Sequence, residues 1–395
     1  MKKHFSLFTI FLIVFTDLLG FGIVIPYLPS YAKKVFAAGD FKVGLLMASF
    51  SFMQFLFAPI WGGLSDRIGR RPILVLSLSA ASVSYWILGI APTLGILFLS
   101  RLLAGAAAAN ISTAQAVISD TTTPENRAKG MGMIGAAFGL GFIFGPAIGG
   151  ALSHWSYSLP AYFGCGLSAL AMVLTLIVLP ETLKPGSTPH VKRSAGPKAI
   201  VRAFSHPHLS VLFAIFFLFT FVFSCYETTF PLLAIQKFLY SPAQIGFWFA
   251  YVGVLTAIIQ GGLIGRLAKK WGERKLIMAG LTLTVIGTLF IPFATGGMTL
   301  ASILLALALG SGITSPSLSS FISLSAGSGE QGGVLGMSQS LSSLARILGP
   351  VWGGLTMQRW GFQFPYVSCA VILAIGLAFG TRLLQGGATP QESPD

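Results

Sequence analysis

Carboxylates are scarce in this chain. Of 395 residues only 11 are Asp or Glu, charged residues of both signs make up 9%, and apolar residues make up 54%. Soluble domains carry roughly 25% charge, so a water-soluble globule is excluded, and a mean hydropathy of +0.80 reads as a membrane protein. Cysteine is equally sparse. Cys165, Cys225 and Cys369 lie far apart, each inside an apolar run, which excludes a disulfide framework and gives no metal-ligand spacing. The histidines fall in termini, loops or beside Trp155, so none is placed as a proton relay in a span or as the base for a serine nucleophile. An intramembrane enzyme would need such a base or paired aspartates, and Asp17 is the only Asp deep in an apolar run. No enzymatic activity, cofactor or metal is therefore expected.

What is abundant is apolar length. Roughly 20 apolar residues in a helix cross the hydrocarbon, and such stretches recur near 5–30, 43–63, 73–91, 94–119, 130–153, 159–180, 209–236, 244–268, 276–294, 298–322, 334–357 and 364–384. The start, "MKKHFSLFTIFLIVF", imitates a signal peptide, but its apolar run continues to about Pro29 without a small-residue cleavage site, so it reads as an uncleaved first span. The formal net charge of +14 would suggest nucleic acid in a soluble protein. Here the cations gather on one side instead. With both termini in the cytoplasm, the outer loops hold only Lys33, Lys34, Lys42, Lys237 and Arg359, while Arg67, Arg70, Arg71, Arg266, Lys269, Lys270, Arg274, Lys275 and others lie inside. That asymmetry is the positive-inside pattern of an integral membrane protein, expected in a bacterial cytoplasmic membrane, with the bilayer and no nucleic acid as partner.

The pattern repeats within the chain. "GPAIGG" at 145–150 returns as "GPVWGG" at 349–354, Pro26 matches Pro231, and "GGLSDRIGRR" at 62–71 echoes "GGLIGRLAKK" at 261–270. Six spans per repeat put both copies in the same orientation. The expected fold is all-α, with twelve transmembrane helices in two parallel six-helix bundles, 1–180 and 209–395, joined by a Pro-, Ser- and cation-rich cytoplasmic linker at 181–208. In the loop after the second span, Gly62 and Gly69 permit tight turning, and Asp66 stands one helical turn before Arg70, in reach of an ion pair. The echo places Gly265 where the acid would stand, so this device is expected in the first half alone.

Two six-helix halves with a basic linker and a G-x-L-x-D-R-x-G-R-R loop resemble the major facilitator superfamily over nearly the whole chain. Asp17 with "PYLP", "LSRLLAGAAAA" in span 4 and "GFIFGPAIGG" in span 5 resemble the motifs of its twelve-helix drug:proton antiporters, the branch that includes tetracycline efflux proteins. The resemblance implies that Asp66, Arg67, Arg70 and Arg71 form a gating loop, with Asp66 meeting the start of span 11 and Arg70 reaching Asp120 at the end of span 4. It also implies that Gly141, Gly145, Pro146, Gly149 and Gly150 form an antiporter motif that packs closely yet flexes. One departure is plain. Span 9 has no carboxylate and span 8 no histidine where tetracycline exporters carry them, so coupling here must use other groups.

Ionisable residues inside spans cost several kcal/mol unless paired or wet, and four stand out: Asp17, Arg101, Glu227 and Arg346. Asp17 lies about 18 Å into span 1 from the cytoplasm, and Arg101 about 10 Å into span 4 from outside, at ~1.5 Å per residue. A pair between them is geometrically open. Arg101, Ser112 and Gln115 lie close to one face of a continuous helix, as a cavity lining would. In span 7, Thr220, Ser224 and Glu227 form a similar stripe beside Tyr226 and a run of phenylalanines, a setting that suits a lipophilic cation. Arg346 could hold an anionic group or a carboxylate. The expected function is a monomeric secondary exporter that exchanges protons for a small amphipathic or lipophilic compound, as in antibiotic efflux, by rocking two halves about a central cavity. A proton-coupled importer or metabolite facilitator is the alternative.

Overall fold

In a computed structural model, the structure describes residues 2–108, 110–122, 124–183, 207–325 and 331–386. Among these, every regular element is helical. They run α1 Lys2–Phe36, α2 Asp40–Ile68, α3 Arg70–Gly89, α4 Leu94–Ala107, α5 Asn110–Thr121, α6 Pro124–Leu152 and α7 Leu159–Val178. After the linker come α8 Pro207–Phe238, α9 Pro242–Ile258, a π-helical turn Ile259–Leu263, α10 Ile264–Phe290, α11 Gly297–Leu324, α12 Gln331–Trp360 and α13 Phe364–Gly386. Seven described segments are long and apolar enough to cross a membrane, and one of them, Pro242–Phe293, is 52 residues long, enough for two crossings about its bend at Gly272. The expected linker at 181–208 falls, from 184 to 206, outside the described residues.

The chain divides into two compact units, Met1–Lys192 with Ala234–Gly253, and Arg193–Leu233 with Val254–Asp395. In the first, a core of Ile10, Ile13, Val14, Leu18, Leu74, Leu78, Val117 and Ile134 joins α1, α3, α5 and α6. Along α6, glycines let two backbones meet. A Cβ at Gly145 would stand 2.7 Å from Gly22 Cα, and one at Gly141 2.8 Å from Leu18 Cβ, both on α1, so any side chain there forces the helices apart. In the second unit Ile215, Phe219, Val222, Ile277, Leu281, Leu318, Ala345 and Leu373 form the core. There the repeated glycines do the same work. A Cβ at Gly349 would lie 2.7 Å from the Phe221 carbonyl of α8, while Gly353 faces the Thr229 and Cys225 side chains.

Span 4 departs from the expected continuous helix. α4 ends at Ala107 and α5 starts at Asn110. Two side chains of α2 explain the break, because Trp61 Nε1 donates to the Ala106 carbonyl (2.6 Å) and Gln54 Nε2 to the Ala108 carbonyl (3.1 Å), occupying acceptors that the next helical turn would use.

The repeat also has a different register in the loops. Gly69, between α2 and α3, has φ 110° and ψ 157°, and Gly272, inside α10, has φ 74° and ψ 156°. Only glycine adopts that backbone without strain, so the turn glycine fixes the equivalence. Gly62 then corresponds to Gly265, Asp66 to Lys269 and Arg70 to Glu273, which corrects the alignment built on the "GGL" strings. Gly265 does not stand in the acid's place; Lys269 does.

Candidate functional site

Arg70 and Arg71 open α3, so their backbone N–H groups have no partner within the helix. Glu181, just beyond α7, supplies one. Its Oε1 accepts from Arg70 N (2.9 Å) and its Oε2 from Arg71 N (3.2 Å), while Oε1 also accepts from Thr182 N and Leu183 N, each at 2.9 Å. Partial burial pushes this carboxyl up, but the four N–H bonds together outweigh that and hold it below the ordinary glutamate range. The carboxylate also sits at the positive end of the α3 dipole. The Arg70 side chain is buried and reaches two acids: Nη1 donates to Asp66 and to Ser65 Oγ (2.7 Å), and Nε donates to Asp120 Oδ2 (3.2 Å). Thr182 Oγ1 donates to the same Asp120 oxygen at 3.5 Å. Arg71 donates to the Leu176 carbonyl, Arg67 is exposed, and Gly62 is buried. Sequence reasoning missed Glu181, whose only signal was a lone acid closing an apolar run.

Among the intramembrane groups of the first unit, Arg101 is 2% exposed, and its Nε and Nη2 have no hydrogen-bond partner among the described residues. Its guanidinium carbon lies 5.5 Å from the ring centre of Tyr85. Tyr85 feels the charges of both Arg101 and Asp17, and its hydroxyl packs on Gly20, three residues beyond Asp17 on α1. Tyr27, fully buried, is a second phenol within electrostatic range of Arg101. A reading that followed charges along the chain could not find these tyrosines. Asp17 is half-buried. The helix expected to carry Arg101 and Gln115 on one face is interrupted after Ala107; Arg101 is buried and Gln115 exposed. The Ser112 side chain lies outside the described residues.

In the second unit Glu227 is 8% exposed on α8. It lies within electrostatic reach of Arg346 on α12, yet no salt bridge joins them, and Arg346 Nε has no hydrogen-bond partner among the described residues. Thr220 Oγ1 donates to its own helix at the Phe216 carbonyl (2.8 Å). Ser224 and Tyr226, expected to line open space, are instead buried. Tyr226 is 1% exposed because Phe223 and Phe230 pack against its ring at 5.9 and 5.4 Å.

The glycine helix α6 presents Gly141, Gly145 and Gly149 to α1, while Gly150 faces α9, where a Cβ would stand 2.7 Å from the Pro242 carbonyl and 3.0 Å from Gly246 Cα. Pro146 lies within α6 between these contacts. Among the described residues no cluster of His, Cys, Asp and Glu could hold a metal.

Comparison with known proteins gives consistent relatives. The family model described as Major Facilitator Superfamily matches residues 10–350 and 236–394. The chain is 32% identical to multidrug resistance protein 2 of Bacillus subtilis (strain 168), over 93% of this chain and 94% of that protein. It is 34% identical to the class E tetracycline resistance protein of Escherichia coli, over 86% and 84% of the two chains. Among solved structures, an inward-facing, occupied bacterial homolog of the human lysosomal transporter Spinster superposes with a TM-score of 0.83, covering 100% of this chain and 99% of that one at 16% identity, which speaks to fold.

Proposed function

From the premise that this chain belongs to the major facilitator superfamily, we propose that it is a secondary active exporter, exchanging protons for a small amphipathic or lipophilic compound. It is an integral membrane protein with the fold of that superfamily. The proton gradient supplies the energy, and the two halves, 1–180 and 209–395, move to give access to each side in turn.

The observation that carries this reading is a buried carboxyl without a salt bridge: Glu227, 8% exposed, with Arg346 nearby. A permanently ionised group there would call for a close counter-charge. A group that exchanges its proton for a cationic substrate would not. Asp17 serves as the second exchanging carboxyl, with Arg101 acting on it through Tyr85. The Arg70 hub, tied to Asp66, Asp120 and Glu181, acts as the latch that is made and broken in each cycle. The relatives named for multidrug and tetracycline resistance support export rather than uptake.

Everted membrane vesicles containing the protein test direction and coupling together. With an acid interior, addition of a fluorescent lipophilic cation should release protons outward as the dye accumulates. Substrate movement together with protons, or movement indifferent to the gradient, would overturn the exchange. Protein carrying Glu227→Gln should keep its detergent-stable fold and lose dye accumulation at least tenfold.

A further inference from the structure

The loops fixed by Gly69 and Gly272 have equivalent places in the two repeats and opposite electrostatic situations. In the first, Arg70 meets Asp66 and Asp120, and Arg71 is held by the Leu176 carbonyl and, through its backbone, by Glu181. In the second, Arg266, Lys269, Lys270, Arg274 and Lys275 crowd eleven positions, 265–275, that contain one carboxylate, Glu273. That acid accepts a hydrogen bond from Ser320 Oγ at 3.4 Å. Arg266, Lys269, Lys270 and Lys275 are exposed, and none forms a salt bridge among the described residues.

Three further observations say what such a surface faces. Arg266, Lys269 and Lys270 stand at i, i+3 and i+4 ahead of the Gly272 bend, so they share one helix face at spacings of about 5–6 Å. Trp271, 50% exposed, lies beside Lys270, whose Nζ is 6.0 Å from its ring centre. A half-exposed Trp at the end of a spanning helix sits at headgroup depth. Gly261, Gly262 and Gly265 leave open space along the approach to this face, with nothing within 4 Å of a Cβ built at any of them.

We propose that the exposed face of Arg266, Lys269, Lys270 and Trp271 is a docking surface for the phosphate headgroups of anionic phospholipids in the leaflet it meets. In the first loop Arg70 and Arg71 have protein partners; in the second the exposed cations are satisfied by lipid. Cations placed only for positive-inside topology would spread any preference for anionic lipid over all the exposed basic residues, whereas a docking surface concentrates it in these three.

The test is lipid-adduct measurement by native mass spectrometry on full-length purified protein, titrated with phosphatidylglycerol or phosphatidylcholine. Unaltered protein should prefer phosphatidylglycerol, with the preference falling as salt is raised. The combined variant R266Q, K269Q and K270Q should lose the preference on the order of a hundredfold, with phosphatidylcholine binding and thermal unfolding unchanged. R67Q, in the first loop, should keep it. If the triple variant does not fold, the salt titration of unaltered protein still decides, because salt-independent binding rejects the docking surface. Equal binding of the two lipids, an undiminished preference in a folded triple variant, or displacement of the lipid by millimolar inorganic phosphate would each overturn the proposal.

Discussion

The loop around Gly69 and the bend at Gly272 share a backbone and differ in charge. Both glycines take a left-handed φ with ψ near 156°, yet where the first loop has Asp66 and Arg70 the second has Lys269 and Glu273. A duplicated helix plan preserves what sterics demand, the turn glycine and the small residues where backbones touch. Charge is free to diverge. In the first half it has been drawn inward, with Arg70 buried among two carboxylates and its amide capped by a third. In the second it remains on the surface. Deeper in the fold both units hold an arginine with a buried donor orphaned among the described residues, Arg101 beside Tyr85 in the first and Arg346 within electrostatic reach of the buried Glu227 in the second.

The contrast can be broken from the first half outward. Arg70→Ala should have the largest effect, because it leaves Asp66 and Asp120 facing each other unneutralised. A loss of about 3 kcal/mol is expected, read as a lower thermal midpoint together with loss of transport, and Arg70→Lys should restore only part of either. Its counterpart Glu273→Gln should be nearly silent. If the two changes cost the same, the electrostatic asymmetry has no energetic meaning.

The glycine contacts provide a second, smaller comparison. A Cβ at Gly149 of α6 runs into the Ile23 backbone carbonyl, whereas one at Gly353 of α12 meets the ends of Thr229 and Cys225. Gly149→Ala should therefore destabilise by about 1–3 kcal/mol and Gly353→Ala by less, as measured by thermal unfolding of the two variants side by side. Equal losses would mean that the helices can spread at either place without cost.

Glu181 gives the smallest effect and the one that depends on pH. Its carboxyl is held below the ordinary value in the folded protein, so its stabilisation is complete above the unfolded-state pKa and disappears as pH falls through the lowered folded value. Unfolding scans from neutral pH into the acid range should show the unaltered protein losing part of its advantage over Glu181→Gln below about pH 4.5. Two curves that stay parallel throughout would remove the carboxylate from the cap.

What could be read from the chain, and what could not, follows the range of the interactions. The Asp66–Arg70 spacing and the repeated "GPxxGG" were visible because both depend on neighbours within a turn or on a pattern stated twice. Glu181 and Tyr85 were not visible. Their partners lie more than 100 residues away in one case and on other helices in the other, and nothing in local periodicity announces them. The break in span 4 was hidden for the same reason, since Trp61 and Gln54 impose it from α2. The loop register was misread because a repeated "GGL" string is more conspicuous than a single glycine with positive φ. Membrane character and helical class were written in composition and repetition, and the family in motifs that resemble its own.

Proton exchange at the buried carboxyls is tested most directly on purified protein in weakly buffered detergent solution, by following pH as tetraphenylphosphonium is added. Unaltered protein should release protons on binding the cation, Asp17→Asn should release fewer, and Glu227→Gln fewer still, with the double variant releasing none. Release that is undiminished in the double variant would place the exchanged proton elsewhere and contradict the mechanism.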